Sequence, residues 1–421
     1  MNVKTKEPIN NERNIFFIRI LRIEFRSDTQ SYKYFSSLNV NMIKNAYLCT
    51  YRTPRMPFPQ WALHSEFICE SMNPDTFLSA NPPASYPKKR YYTLDIARAI
   101  AIILVAIGHF NIEPMPQFYR YLIDVIYTFH MPLFMFVSGF LCIATMKKTS
   151  YMKFISKKFF RLMVPYFVTS VIIIFIKLLT EKVQPVDHPV TVSDFIEILW
   201  LPKAGYFLWF VYALWWMMVI VPLFDTPAKR RVFLLISVVL FLINPYFPRL
   251  FCLHETARFM IYFASGCVVY DILKKIPVRA LCLTSFFVFP VLAVILIINP
   301  IAVISQSWLL LQLFILATAF SGIGFTLVVS NALENHAAPK IRRILFSLST
   351  ASYIIYLFHT TFMGFSKAAL TKIHFFQSGN LMVHYSVAEL IVPLFSGVVL
   401  SYLLYKYILT RYNITRKLFG L

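Results

Sequence analysis

The run RAIAIILVAIGH, residues 98–109, puts two chemically capable groups at the ends of an otherwise apolar stretch. On a helix, the eleven residues from Arg98 to His109 return to within about 20° of the starting face, with a rise of roughly 16 Å. The two side chains would then look the same way from different depths. A neutral imidazole can take the proton of an alcohol attacking an acyl group. A planar guanidinium offers several donors to a phosphate or pyrophosphate. The pair describes acyl transfer from a phosphate-bearing carrier. It also describes a snorkelling arginine, paired along the helix with Asp95, and an interfacial histidine. Ionisable groups at membrane depth tend to face a cavity or a partner, which favours the first reading.

Other polar residues sit in similar apolar surroundings. His130 lies in DVIYTFHMPLFMFVSGFLCIAT, where Pro132 can kink a helix and Ser138 and Gly139 allow a close helix approach. His130 is either a substrate contact or polar packing. Eight residues separate it from Ser138, or about 80° around a helix, so the two do not form one catalytic pair. In KKFFRLMVPYF, Lys158 and Arg161 stand three apart and form either a basic edge or an ordinary cationic flank. Ser352, Tyr356 and His359 follow i, i+4, i+7 spacing and make one polar stripe. His359 either lines an acceptor path or bonds another helix. Glu255 and Arg258 begin a span as a flanking pair or as part of an acceptor mouth, and Glu389 has an open role. His188, His336, His374 and His384 fall in loops or at span edges and carry no catalytic expectation.

The elements that must position these groups are membrane helices. The chain has 421 residues, of which 58% are hydrophobic and only 14% charged, too little polar surface for a soluble protein of this size. Its 42 Phe, 24 Tyr and 6 Trp suit apolar spans and interfacial belts. The net charge of +22 sits mainly in short loops, which orients a membrane protein and argues against nucleic acid as a partner. Six cysteines, at 49, 69, 142, 252, 267 and 282, form no CxxC and read as small buried hydrophobes. With no HExxH, carboxylate cluster or nucleotide-binding glycine loop, no metal or bound cofactor is expected.

About ten spans are expected, at 94–113, 124–146, 159–180, 206–224, 231–248, 257–273, 280–298, 306–330, 345–366 and 384–410. Pro245 and Pro248 crowd the end of the fifth. Basic loops alternate with loops poor in cations. Lys147, Lys148, Lys153, Lys157 and Lys158 follow the second span, and Lys229, Arg230 and Arg231 follow the fourth. Lys274, Lys275 and Arg279 follow the sixth, and Lys340, Arg342 and Arg343 the eighth. This alternation predicts a multi-pass protein of the cytoplasmic (inner) membrane with both termini cytoplasmic. Residues 1–90 are polar and contain no apolar run of span length. They read as a weakly structured extension or a start placed too far upstream, with Met72 as an alternative start. Residues 411–421 read as a basic cytoplasmic tail.

Taken together, YYTLDIARAIAIILVAIGHF, FHMPLFMFVSGFL, KKFFRLMVPYF and SLSTASYIIYLFH resemble the acyltransferase-3 family of integral membrane acyltransferases, most nearly its fucose 4-O-acetylase-like branch. The resemblance covers roughly 91–410. It implies an all-α bundle whose first-helix basic residue and histidine are Arg98 and His109, the histidine being essential for transfer. The family's arginine–two residues–arginine element falls on Lys158 and Arg161, where lysine keeps the charge but loses the bidentate fork. The implied donor is an acyl-CoA, commonly acetyl-CoA, held on the cytoplasmic side by Arg98, Lys158 and Arg161. The implied acceptor is a hydroxyl of a cell-surface or lipid-linked carbohydrate. His109 would deprotonate that hydroxyl or first accept the acetyl group itself. Transfer of a succinyl or other acyl group by the same fold is an alternative. So is a transporter or flippase of polysaccharide precursors, though no repeated halves of the transporter kind are visible.

Overall fold

The computed structural model describes residues 91–110, 116–146, 150–181, 189–272, 278–298, 307–372 and 382–421, with backbone alone for 278–283, 371–372 and 382–390. The expectations for 1–90 and Met72 lie outside these residues. So do those for Cys49, Cys69, Lys147, Lys148, His188, Lys274, Lys275 and His374, and for the side chains of Arg279, Cys282, His384 and Glu389.

The described chain is all helix. α1 spans Tyr92–Gly108, α2 Gln117–Thr145 and α3 Tyr151–Thr180; a short α4, Asp194–Glu197, precedes α5, Trp209–Ile220. There follow α6 (Pro227–Ile243), α7 (Leu253–Ile272), α8 (Val278–Ile298), α9 (Trp308–His336), α10 (Pro339–Lys372), α11 (Met382–Leu404) and α12 (Asn413–Leu418). Over its described residues, each expected span coincides with helical structure. Six among the described residues are long and apolar enough to cross a membrane: Gln117–Thr145, Tyr151–Thr180, Tyr206–Leu223, Trp308–His336, Pro339–Leu370 and Ile391–Leu409. The fifth expected span ends sooner than its sequence suggested. α6 stops at Ile243 and a tight turn through Asn244–Tyr246 takes over, because Pro245 has no N–H to continue the ladder.

α2 is the central helix. In its most apolar window 78% of residues are buried, against 17% for Ile391–Leu409. It lies against α1, α7 and α9, while α10 packs on α1 and α11. Two glycines set the α2–α7 crossing. A Cβ on Gly139 would strike the Phe263 carbonyl, and one on Gly266 the Phe136 carbonyl, so the helices approach backbone to backbone. The Cys267 thiol lies 3.4 Å from the Gly139 carbonyl. Cys142, Cys252 and Cys267 are all buried and unbridged. Large apolar side chains cover the outside, among them Phe175, Leu235, Phe287 and Phe395, as lipid contact requires.

Two segments expected only as cationic flanks carry structure of their own. Thr226 caps α6, accepting from the Lys229 N–H at 3.3 Å, with Pro227 at the first helical position. Arg230 is therefore in the first turn of α6 rather than in an open loop. It is buried and bidentate to Asp271 of α7 at 2.6 and 2.7 Å. The C-terminal segment also docks. Phe419 is buried against Phe358 at 5.7 Å, and Gly420, at φ +65°, lies so close to Arg161 that a side chain would meet its carbonyl.

Candidate functional site

His109 caps the C-terminal end of α1, where the last carbonyls have no helical partner. Two tyrosines of α2 supply them: Tyr119 donates to the Ile107 carbonyl at 2.7 Å and Tyr127 to the Gly108 carbonyl at 2.9 Å. The backbone beneath the imidazole is thus pinned from a second helix. The ring itself makes no hydrogen bond to a described residue and is only half-buried. Around it stand His359 at 5.3 Å, Phe207 at 5.9 Å and Tyr127 at 6.5 Å, measured between ring centroids. The backbone is fixed, while neither ring nitrogen is committed to a described residue.

His359 sits in α10 with no exposure to solvent. Its Nδ1 lies 2.8 Å from the Tyr356 carbonyl and 3.1 Å from that of Ile355. Its Nε2 is buried without a partner. Phe207, at 5.5 Å, shares this space, and the Tyr356 hydroxyl donates to the Phe207 carbonyl. His130 is buried too, its Nδ1 2.7 Å from the Ile126 carbonyl, with its ring edge-on to Tyr127 at 5.1 Å. His109 and His130 therefore both contact the ring of one tyrosine. Their separation of 21 residues in the sequence gave no hint that they share Tyr127.

Glu255 joins this grouping through its neighbours. Its Oε1 accepts from the Tyr206 hydroxyl at 2.7 Å, and its Oε2 is buried with no partner. Tyr206 is the residue before Phe207, so one short turn at the start of the α5 span links the carboxylate to both histidines. Arg258, one turn further along α7, lies over the Phe259 ring at 5.7 Å. Nearby His254, which the sequence did not single out, is buried and bonds the Asn244 carbonyl at 2.9 Å. Tyr206, Phe207 and Tyr127 also escaped the sequence reading. Aromatics at a span end look the same whether they serve a belt or a site.

At the other end of α1 the polar groups are interlocked. Arg98 donates to the Ser352 hydroxyl at 2.9 Å and stands 4.0 Å from Asp95, which accepts from Ser349 at 3.3 Å. Thr93 donates to Glu334 of α9. Arg98 with Ser352, then His109 with His359, show that α1 and α10 run parallel, with the faces that carry these residues turned to each other. The expected stripe on α10 is thus the wall opposite Arg98 and His109. The residue after Ser352, Tyr353, donates to the Leu162 carbonyl at 3.0 Å, beside Arg161. The turn 352–353 therefore ties Arg98 on one side to the basic edge of α3 on the other. Arg161 is exposed, and Lys158 is half-buried with its ammonium over Phe154 at 5.3 Å.

The named residues thus form two groupings joined by α1 and α10. His109, His359, Glu255 and His130 gather at one end around Phe207 and Tyr127. At the other, Arg98 bonds Ser352 and Tyr353 bonds the α3 backbone beside Arg161, with Lys158 one turn earlier on α3. Arg258 lies at the margin of the first.

Residues 91–406 match the family model of the acyltransferase domain, acyltransferase 3. The chain belongs to the acyltransferase-3 family. With its apolar helices, this makes it a multi-pass membrane protein. A stretch of 86 residues is 35% identical to the nodulation protein NolL of Sinorhizobium fredii (strain NBRC 101917 / NGR234), covering 18% of this chain and 22% of that protein. No solved structure matches.

Proposed function

We propose that this protein is a membrane O-acyltransferase that moves an acetyl group from cytoplasmic acetyl-CoA to a hydroxyl of a cell-surface or lipid-linked sugar. One observation carries the reading: His109, its ring unbonded, stands at one end of a helix whose other end holds Arg98 on the same wall. The Arg98 end is cytoplasmic, in line with the basic loops, and both termini lie on that side of the inner membrane.

The donor's phosphates bind at Arg98, Lys158 and Arg161, and its thioester arm runs along the α1–α10 wall toward His109. Arg98 serves as a fork for phosphate, while Lys158 and Arg161 add charge at the rim. The acceptor enters from the Tyr206 side, where the free oxygen of Glu255 takes a hydrogen bond from a sugar hydroxyl, with Arg258, His130 and His359 near its path. His109 removes the proton of the attacking hydroxyl as its oxygen bonds to the thioester carbonyl carbon. The C–S bond then breaks, the imidazolium returns the proton to the departing thiolate, and the sugar ester is released beside free CoA.

The test uses membrane vesicles containing the full chain, labelled acetyl-CoA and native envelope glycans. Hydroxylamine-labile label on carbohydrate is expected with the wild type and not with His109→Ala at matched protein abundance. Equal transfer by both removes His109 from the reaction. Label trapped on the wild-type protein itself replaces direct transfer with an acetyl-imidazole step. Transfer from succinyl-CoA but not acetyl-CoA changes the donor and keeps the chemistry.

A further inference from the structure

The tautomer of His359 can be read from its surroundings. Both groups within reach of its Nδ1 are backbone carbonyls, of Tyr356 at 2.8 Å and Ile355 at 3.1 Å, and a carbonyl only accepts. Nδ1 must carry the proton, so Nε2 presents a lone pair. That lone pair is buried and without a partner, in a side chain with no exposure at all. A buried acceptor with nothing to accept is costly unless something comes to it. The nearest ring is that of His109, 5.3 Å away between centroids and tilted by 55°. At that spacing the facing edges come within hydrogen-bond reach after a small rotation of a side chain. The His109 ring, bonded to no described residue, is free to make that rotation.

We propose that His359 is the positioning residue of His109: its Nε2 accepts the N–H of the His109 imidazole and so leaves the opposite nitrogen of His109 unprotonated toward the substrate. This rests on the acyltransferase reading for its purpose, though not for its geometry. The arrangement follows the general logic of a base held in one tautomer by a second group. A neutral histidine does this without placing a fixed charge in the bundle. Phe207 lies against both rings, at 5.9 and 5.5 Å. Bonding to an acceptor also raises the electron density, and hence the nucleophilicity, of the free nitrogen.

The experiment reads His109 reactivity directly. Vesicles bearing the full chain are treated with diethyl pyrocarbonate, which carbethoxylates a neutral imidazole nitrogen, and labelling of the His109 peptide is followed by mass spectrometry. His359→Leu removes the acceptor at similar volume, and His359→Gln returns an oxygen near the Nε2 position. Labelling of His109 is expected to slow about ten-fold in His359→Leu and to recover most of the wild-type rate in His359→Gln. In the acetyl-transfer assay kcat falls with the labelling rate, while the KM values for donor and acceptor stay within about two-fold. Unchanged labelling in His359→Leu overturns the pairing. So does a selective rise in the acceptor KM with kcat intact, which makes His359 a substrate contact. Slowed labelling rescued by glutamine, in a wild type that transfers no acyl group, upholds the pairing and removes the acyltransferase reading.

Discussion

Two buried polar groupings in this bundle are built on opposite terms. At the α6–α7 crossing, Arg230 is forked onto both oxygens of Asp271 at 2.6 and 2.7 Å, and it also donates to the Asp225 carbonyl at 2.7 Å. Around His109, by contrast, the Nε2 of His359 and the Oε2 of Glu255 are buried with no partner. The first grouping spends its polar atoms on the fold. The second leaves them unspent, and a buried polar atom without a partner carries a desolvation cost that a bond from a neighbouring side chain or a ligand would remove. The contrast also separates two arginines that look alike in sequence. Arg230 is buried in a fork between two helices, while Arg98, also bonded across a helix pair, keeps part of its side chain exposed.

The comparison predicts that substitutions in the two places fail differently. Asp271→Ala strands a buried guanidinium and is expected to cost about 3–5 kcal/mol of stability, seen as early thermal unfolding of the detergent-purified protein. If it melts like the wild type, Arg230–Asp271 is not the structural pair described here. His109→Ala is expected to do the reverse. Turnover falls by about 10² to 10⁴-fold, while the melting temperature stays within about two degrees of the wild type. A large loss of stability there would erase the distinction between the groupings. A narrower effect is expected from Glu255→Gln, which keeps the shape but weakens the acceptor oxygen. The KM for the carbohydrate rises about ten-fold, or ~1.4 kcal/mol, and the KM for the donor does not move.

The smallest effect is expected at an exposed pair outside the helical spans. Lys203 bonds Glu197 at 2.8 Å, and that hydrogen bond, aided by the nearby charges of Glu197 and Asp194, holds the ammonium above the ordinary lysine range. A raised lysine contributes stability that is fully present below its unfolded value and lost as pH rises through the folded one. Because this side chain is 42% exposed, solvent screens the pair. Lys203→Met is therefore expected to shift the melting temperature by no more than about one degree at pH 7, and the difference disappears in strongly alkaline buffer. A shift of several degrees at neutral pH would put this surface pair in the same class as Arg230–Asp271.

Much of this protein could be read from composition and spacing. Long apolar runs must become helices in lipid, since every backbone group needs an internal partner there, and over its described residues each expected span coincides with helical structure. The eleven-residue interval between Arg98 and His109 fixed their common face before any contact was known, because helical periodicity alone sets it. The i, i+4, i+7 stripe on α10 was legible for the same reason. Periodicity says which way a side chain points, but not what it meets.

The rest depended on how the helices pack. Only their parallel run sets Ser352 against Arg98 and His359 against His109, across an interval of some 250 residues. Only the turn before α5 brings Phe207 against both imidazoles and Tyr206 onto Glu255. Arg230 reads in the sequence as one cation among three, and its burial against Asp271 comes from the α6–α7 contact. Hydrogen-bond satisfaction is a property of three-dimensional neighbours. The sequence could name the polar residues of the bundle, and the tertiary structure decided which were left waiting for a partner.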